Sequence, residues 1–450
     1  MKSTFITKIN IKGIKNIEDI TLNFSNAINE GHINLDGSSV KAIYGPNGSG
    51  KSAIIHAMEI FYNLNIDKNF LINENIVEHI KHLINFNTNK FYISIDFILT
   101  DRDTTEIFEH CNYEMELVVR DNQDIEISKQ KFQKYRVKNR INTKKEVIFD
   151  IGNGRMMEST INKKIIDEAI IYLEKRSLVE VIAEKIAFAF KKSKSISKEY
   201  DEAFDELASF YQLLASLRVV TDKDDEHHDF ILNRLKRKKE NDGSGSILQE
   251  TPIVKTSLND DYDHVSLSEK DIYKKYIENL FSFMLIFKPN LKSIDYNLKA
   301  YKKDMYLGEK IFNYGNYRVH AEFESAGIKK LISLYNIFYG MCHNRSILFI
   351  DELDSKINDV YLNKLIEYMT KYSKGQLVFT THSTSPMEVL GKGKNKHSID
   401  FMTSDGKLVS WVKSGNYSPS KQYKEGMIDG LPFNIEDFDF LPMFGEKDDE

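Results

Sequence analysis

"GPNGSGKS", from Gly45 to Ser52, is the stretch that decides the fold of this 450-residue chain. It satisfies the pattern G-x-x-x-x-G-K-[ST] throughout, with a short apolar run before it and an amphipathic run after it. Glycines let backbone N–H groups surround phosphates, a lysine adds positive charge, and a serine hydroxyl suits Mg²⁺. The stretch therefore predicts a phosphate-binding loop between a buried strand and a helix. Its candidate nucleotide contacts are Gly45, Pro46, Asn47, Gly48, Ser49, Gly50, Lys51 and Ser52.

Composition limits the class of protein. The net charge of −5 argues against a general nucleic-acid coat, and two cysteines are too few for a disulfide framework or a zinc site. The longest apolar run, Phe281–Phe287, is far shorter than the ~20 residues of a membrane span. We therefore expect a cytoplasmic protein with no membrane segment.

One basic stretch stands out against this background. Residues Lys129–Lys145 include eight basic side chains and no acidic one. The stretch is either a solvated surface or a local contact with nucleic acid, and the sequence leaves both readings open.

Two further motifs place polar residues at the ends of apolar strands. In "SILFIDELDS", Asp351 and Glu352 follow four apolar residues, so Asp351 is a candidate Mg²⁺ ligand and Glu352 a candidate base for the attacking water. In "QLVFTTHST", His382 follows a second apolar strand and is a candidate sensor of the γ-phosphate.

A fourth motif, "FESAGIKKL", places Ser325 and Gly327 at the start of a helix. A serine and a glycine at this position create an anion site, although an ordinary capped helix has the same appearance.

In this order, the four motifs resemble those of ABC-type ATPases related to chromosome-maintenance (SMC) and recombination proteins. Within these, the chain is most similar to short ATPases of the overcoming-lysogenization-defect (OLD) type and their relatives in bacterial anti-phage systems. The resemblance covers about residues 1–99 and 285–432.

The resemblance implies an α/β fold, an ABC-type P-loop ATPase head with an inserted helical, coiled-coil-like region. It also implies ATP and Mg²⁺ as cofactors and two heads paired head to tail. Lys51 and Ser52 of one copy would hold ATP, Ser325 and Gly327 of the other would cap its γ-phosphate, and Asp354 would lie at the seam.

The chain departs from the family pattern at two points. The glutamine that usually senses magnesium is absent between Ser52 and Asn122, which leaves Asn87 or Asn89 as weak substitutes. The short "SAG" signature argues against the motor of a membrane transporter.

The middle of the chain is predicted to be helical. Residues 159–220 show apolar spacings of three and four without proline, which predicts a protruding hairpin or bundle for assembly or partner docking. Helices that pack only within this insert are the alternative. We therefore divide the chain into an N-terminal part of the head (1–150), a helical insert with a linker (151–265) and a C-terminal part (266–450).

The functional hypothesis depends on whether the sequence shows a nuclease motif. Many OLD-type proteins carry a nuclease domain, but here the only Asp-x-Asp pair in that region, Asp437 and Asp439, lies near the end of the sequence. We therefore expect a homo-oligomeric ATPase, a dimer or larger, that controls an effector nuclease or toxin from a neighbouring gene in anti-phage defence, as in PARIS- or Septu-like systems. The alternatives are a repair-type ATPase that acts on DNA and a nucleotide-clamped scaffold with negligible turnover.

Overall fold

The structure of the chain, a computed structural model, describes the following residues: 2–24, 28–29, 32–33, 39–101, 105–121, 123–138, 141–142, 144–193, 197–221, 262–302, 304–392, 398–411, 417–428 and 430–431. Most of the predicted linker and the pair Asp437 and Asp439 lie outside these residues.

A mostly parallel sheet lies at the centre of the molecule. Its strands, in spatial order, are β12 (Leu217–Val220), β17 (Ile347–Ile350), β18 (Gln376–Thr380), β5 (Val40–Tyr44), β19 (Ile399–Met402) and β20 (Leu408–Ser410). The first five are parallel and β20 is antiparallel. The strands β5, β17 and β18 are buried throughout because both faces of the sheet are covered.

An antiparallel sheet packs against one face of this central sheet. Its strands, in spatial order, are β11 (Arg155–Ser159), β10 (Glu146–Gly152), β8 (Ile125–Lys138), β7 (Ile107–Val119), β6 (Lys90–Asp101), β1 (Lys2–Ile14) and β2 (Ile17–Asn23), with β9 (Ile141–Asn142) beside β8. In β7, buried and partly exposed residues alternate, as expected for a strand with one face on a core. A small hairpin of β3 (Ile28–Asn29) and β4 (His32–Ile33) completes this half of the chain.

A third sheet and most of the remaining helices cover the other face. The strands are β13 (Tyr262–Ser266), β14 (Ser293–Lys302), β15 (Met305–Asn313) and β16 (Arg318–His320). The α-helices of the described residues are α1 (Lys51–Leu64), α2 (Glu74–Leu83), α3 (Lys163–Ala169), α4 (Leu178–Ser193), α5 (Lys198–Ser216), α6 (Lys270–Met284), α7 (Ala326–Asn344), α8 (Asp359–Tyr372), α9 (Met387–Leu390) and α10 (Pro419–Lys424).

The central sheet separates two hydrophobic cores. Adjacent residues of a strand point to opposite faces, so Ile347 and Phe349 join the core that contains the antiparallel sheet, α1, α4 and α5. Leu348 and Ile350 join the core that contains α6, α7 and α8. Each strand that ends at the phosphate loop or the acidic motif is therefore held from both sides.

The helices α4 and α5 are part of the head. Phe210 on α5 is fully buried, and its ring lies 4.4 Å from that of Tyr113 on β7 and 6.0 Å from that of Phe61 on α1. The apolar face that we expected to need a partner is thus covered by the antiparallel sheet and α1. The expected protruding hairpin is not what the described residues 163–193 and 197–216 form.

Two local predictions in this region are also wrong. Residues 217–220, predicted as the end of a helix, form the edge strand β12 next to β17. The predicted boundary between residues 150 and 151 falls inside β10. Periodicity misses β12 because a short apolar run next to a helix has the same pattern as one more helical turn.

The fold class itself is confirmed. The chain has the α/β fold of an ABC-type P-loop ATPase head, in which the phosphate loop joins the central strand β5 to α1. None of the described helices is long and apolar enough to span a bilayer.

Candidate functional site

The phosphate loop is held in place by a residue from outside the motif. Asn16, in the turn between β1 and β2, donates a hydrogen bond from Nδ2 to the carbonyl of Ser49 at 2.9 Å. Gly50 has a φ of +103°, and a Cβ there would lie 2.6 Å from Asn16 Oδ1. Glycine is therefore required at position 50, and Asn16 is a residue that the sequence motifs did not identify.

The lysine of the motif points back over its own loop. Lys51 is buried, and its Nζ donates to the carbonyls of Gly45 at 2.8 Å and Pro46 at 3.0 Å. Burial lowers the pKa of Lys51, and the acidic residues that follow β17 oppose that shift. The ammonium group is thus placed inside the loop that would receive phosphates.

The hydroxyl and the carboxylate expected to hold a metal ion are in contact. Ser52 Oγ donates to Asp351 Oδ1 at 3.1 Å, and Thr380 Oγ1 donates to the same oxygen. The backbone N–H of Asp351 donates to the carbonyl of Val220 on β12 at 2.8 Å. The metal-ligand pair predicted from two motifs 299 residues apart therefore forms one cluster.

The candidate base occupies an uncommon backbone conformation. Glu352 has a φ of +45°, in the left-handed region that few non-glycine residues adopt. Its N–H donates to Thr380 Oγ1 at 2.8 Å, and its carbonyl accepts from Lys330 Nζ on α7 at 2.8 Å. The backbone of Glu352 is thus fixed from β18 and from α7.

The predicted seam residue and the predicted sensor are also joined. Asp354 Oδ2 accepts from the backbone N–H groups of His382 at 3.1 Å and Ser383 at 3.0 Å. The ring of His382 is exposed, and its pKa is lowered by partial burial and by the charge of Lys51. His382 is therefore neutral near pH 7, at the surface beside the loop.

The signature residues lie at the exposed start of α7. Ser325 is the N-cap of this helix, accepts from the N–H of Ile328 at 3.4 Å and is exposed. A Cβ at Gly327 would lie 2.4 Å from the carbonyl oxygen of Lys356, so only glycine fits this approach. Within one chain, the signature helix therefore contacts the segment after Glu352.

The weak substitutes for the magnesium sensor lie on a surface turn. Asn87 and Asn89 are exposed, and the turn is fixed by Asn85, whose Nδ2 donates to the carbonyl of Lys15 at 2.8 Å. This turn thus lies next to the β1–β2 turn that contains Asn16.

Three of the eight basic side chains in the stretch Lys129–Lys145 form ion pairs. Lys129 Nζ lies 2.6 Å from Glu114, Lys131 pairs with Asp150, and Lys134 lies 3.4 Å from Glu206. Lys134 is also buried. These three lysines are therefore side chains of a folded sheet, and nothing in their contacts favours a nucleic-acid surface.

The site residues fit a magnesium–nucleotide complex. The Ser52 hydroxyl and the Asp351 carboxylate are hard oxygen ligands of the kind that Mg²⁺ takes alongside phosphate oxygens. Ser49 Oγ, inside the loop, is buried and has no hydrogen-bond partner among the described residues. Among all the residues that the structure describes, no group of three or more His, Cys, Asp and Glu side chains could hold a metal ion.

Comparison with protein families gives one match. Residues 41–388 match a family described as "AAA domain, putative AbiEii toxin, Type IV TA system". The matched range extends from β5 to α9 and so includes every site residue named in the four motifs, whereas Asn16 lies before it. A comparison with curated proteins finds no match.

The solved structures that this chain matches include head domains of SMC proteins. An Smc head bound to the C-terminal winged-helix domain of ScpA is 15% identical, with a TM-score of 0.41 and coverage of 90% of this chain and 98% of that chain. A Pyrococcus furiosus Smc head bound to the C-terminal domain of ScpA is 16% identical, with a TM-score of 0.40 and coverages of 91% and 96%. The Thermotoga maritima head domain is 14% identical, with a TM-score of 0.32 and coverages of 91% and 100%.

Proposed function

This chain belongs to the family of AAA domains described as putative AbiEii toxins of type IV toxin–antitoxin systems, and we propose that it is a Mg²⁺-dependent ATPase that controls a partner effector. The observation that carries the ATPase activity is the convergence of Lys51, Ser52, Asp351 and Glu352 at the ends of β5 and β17. Three separate strands contribute to this site, because Thr380 on β18 contacts both acidic residues.

Each side chain has a role in this proposal. The glycine-rich loop and Lys51 bind and orient the phosphates, and Ser52 with Asp351 hold Mg²⁺, which neutralises charge on the phosphates when bound. Glu352 accepts a proton from the attacking water, and His382 donates a hydrogen bond to the γ-phosphate. The side chains of Lys51, Ser52, Asp351 and Glu352 are at least partly buried, which limits competing water.

The complete site in this proposal contains two copies of the chain. Ser325 lies at an exposed helix N-terminus, and its hydroxyl accepts the N–H of Ile328 in the same helix. An exposed N-terminus of a 19-residue helix attracts phosphate, and His382 is also exposed at the surface. A head-to-tail pair would bring Ser325 and Gly327 of one copy to the nucleotide of the other, with Asp354 near the seam.

The biological role in this proposal is anti-phage defence in the cytoplasm. The family description names a putative toxin and a type IV toxin–antitoxin system. The described residues form an ATPase head, and among them no group of three or more His, Cys, Asp and Glu side chains could hold a metal ion. In this proposal the effector is a separate protein, which we expect to be encoded by a neighbouring gene.

The DNA-repair alternative receives less support. It depended on the basic stretch, in which Lys129, Lys131 and Lys134 are paired with acidic side chains. DNA that stimulates hydrolysis at moderate salt would restore this alternative.

The activity is tested with Glu352→Gln. We expect the wild-type chain to hydrolyse ATP only with Mg²⁺, and the variant to lose about 100-fold or more in kcat while ATP affinity is kept. Glu367→Gln on the exposed face of α8 is the matched control and should hydrolyse ATP at the wild-type rate. Activity that survives in Glu352→Gln, or ATP affinity that collapses, would refute the role of Glu352.

Assembly is tested by measuring mass in solution with ATP and Mg²⁺. We expect Glu352→Gln to form a stable dimer or larger oligomer, and the double variant with Ser325→Arg to remain monomeric while it still binds ATP. A dimer that Ser325→Arg leaves intact would contradict the composite site. Purification of the tagged chain from its native operon tests whether the chain binds an effector. A neighbouring gene product that is retained with the chain would support the effector proposal, and retained DNA would favour the DNA-repair alternative.

A further inference from the structure

Thr380 is the residue that joins the two acidic groups of the site. Its side chain is fully buried at the end of β18. The hydroxyl donates its hydrogen to Asp351 Oδ1 and accepts the backbone N–H of Glu352 at 2.8 Å. A hydroxyl has one hydrogen and two lone pairs, so both contacts are made at once.

We propose that Thr380 is a positioning residue for ATP hydrolysis, which orients the Asp351 carboxylate and holds the Glu352 backbone in its left-handed conformation. This inference rests on the proposed ATPase function. It assigns Thr380 no contact with the nucleotide or the attacking water.

The backbone of Glu352 shows why such a residue is needed. A φ of +45° is unfavourable for a residue with a Cβ, so surrounding contacts must hold it. The N–H bond to Thr380 and the bond from Lys330 to the carbonyl fix the two peptide groups that flank Glu352. If the N–H bond is lost, the peptide can rotate toward a more common conformation, and the direction of the Glu352 side chain changes with it.

The second hydrogen bond of Thr380 acts on Asp351, the proposed metal ligand. Asp351 Oδ1 accepts from Ser52 as well as from Thr380. One threonine therefore ties the orientation of Asp351 to that of Glu352, and it links both to β18, whose continuation contains His382. Two hydroxyl groups on one carboxylate oxygen leave Asp351 Oδ2 for other ligands.

Three variants separate positioning from packing. Thr380→Val keeps the size and branching of the side chain but removes both hydrogen bonds, and Thr380→Ser restores the hydroxyl. Thr4→Val on β1 is the matched control, because Thr4 is equally a buried threonine but its Oγ1 has no hydrogen-bond partner among the described residues.

We expect Thr380→Val to lower kcat by about 10- to 100-fold, because small misplacements of catalytic groups have effects of this size. The KM for ATP should change less than about 3-fold, because the phosphate loop is intact, and Thr380→Ser should recover most of kcat. Thr4→Val should match the wild type. Unchanged kcat in Thr380→Val, or no rescue in Thr380→Ser, would overturn the proposal.

A second measurement does not depend on hydrolysis. Hydrogen exchange of the nucleotide-free chain reports the protection of backbone amides in residues 347–357. We expect faster exchange in Thr380→Val and wild-type exchange in Thr380→Ser and Thr4→Val. If the wild type proves inactive, the proposed function fails, and this exchange pattern still decides whether Thr380 holds Glu352. Equal exchange in all variants would overturn the inference.

Discussion

Replacement of Phe210 by alanine tests whether α5 belongs to the ATPase head. The Phe210 ring is fully buried and lies in an aromatic cluster on the antiparallel sheet and α1. The distances between ring centroids are 4.4 Å to Tyr113, 5.6 Å to Phe132, 6.0 Å to Phe61 and 6.4 Å to Phe97. A helix that protruded from the head would have none of these contacts.

The expected loss of stability follows from this burial. A fully buried phenylalanine contributes about 1.5–3 kcal/mol by transfer from water, and favourable aromatic pairs add about 0.5–1.5 kcal/mol each. Because the surrounding rings belong to a rigid sheet and helix, the cavity left by alanine closes only in part. We therefore expect the free energy of unfolding to fall by about 3–5 kcal/mol, as for other buried Phe→Ala changes.

Urea unfolding followed by far-ultraviolet circular dichroism measures this change. The control is Phe188→Ala on the neighbouring helix α4, where the side chain is 58% exposed and the expected change is within about 0.5 kcal/mol. Because α5 leads directly into β12, whose Val220 carbonyl accepts from Asp351, the Phe210 variant should also hydrolyse ATP more slowly. A loss below about 1 kcal/mol, or equal losses in both variants, would refute the packing of α5 on the head.

Three further predictions concern other parts of the molecule. Gly327→Ala should lower kcat by about 10-fold or more, because the added Cβ would lie 2.4 Å from the Lys356 carbonyl and displace the signature helix or the turn it contacts. Lys41→Met should lower the free energy of unfolding by about 3–5 kcal/mol, because it leaves the buried carboxylate of Asp400 without its ion-pair partner at 2.6 Å. Burial lowers the pKa of His110 from 6.5, so the folded chain binds fewer protons than the unfolded chain near that pH. The free energy of unfolding should therefore fall as pH falls through about 6.5, and His110→Phe should reduce that loss.

Each of these predictions has a matched control. Ala326→Ser, one residue before Gly327 and exposed, should keep wild-type hydrolysis. Lys12→Met breaks an ion pair whose side chains are 46% and 52% exposed and should cost less than about 1 kcal/mol. For His110, urea unfolding at about pH 7.5 and pH 5.5 should show a smaller difference in the variant than in the wild type, and an equal difference would contradict the assigned pKa shift.

The sequence by itself determined the parts of the site that lie within single motifs. The phosphate loop, the acidic strand and the histidine strand each depend on a contiguous run, in which apolar residues form a buried strand and polar residues follow at its end. Their order along the chain also predicted the fold class, because it resembles the order of the same motifs in ABC-type ATPases.

Tertiary structure decided which side chains outside the motifs complete the site. Asn16 reaches the phosphate loop across 33 residues of sequence, and Thr380 reaches Asp351 across 29. Neither contact has a local pattern, since Asn16 meets the loop only after two sheets have packed together, and Thr380 meets Asp351 only after β17 and β18 have paired. Gln376 shows the same limit: its side chain pairs with both backbone groups of Ile6 and ties the two sheets to each other.

The position of the helical region was likewise decided by packing. The apolar face of α5 predicted a helix with a buried side, but periodicity does not identify what covers that side. Phe210 could equally have faced a second helix, another copy of the chain or the antiparallel sheet. The sheet covers Phe210 because the long strands β6, β7 and β8 present an apolar face that is wide enough to pack against a helix. Such a contact joins residues that are about 80 to 110 positions apart in sequence, so no local pattern predicts it.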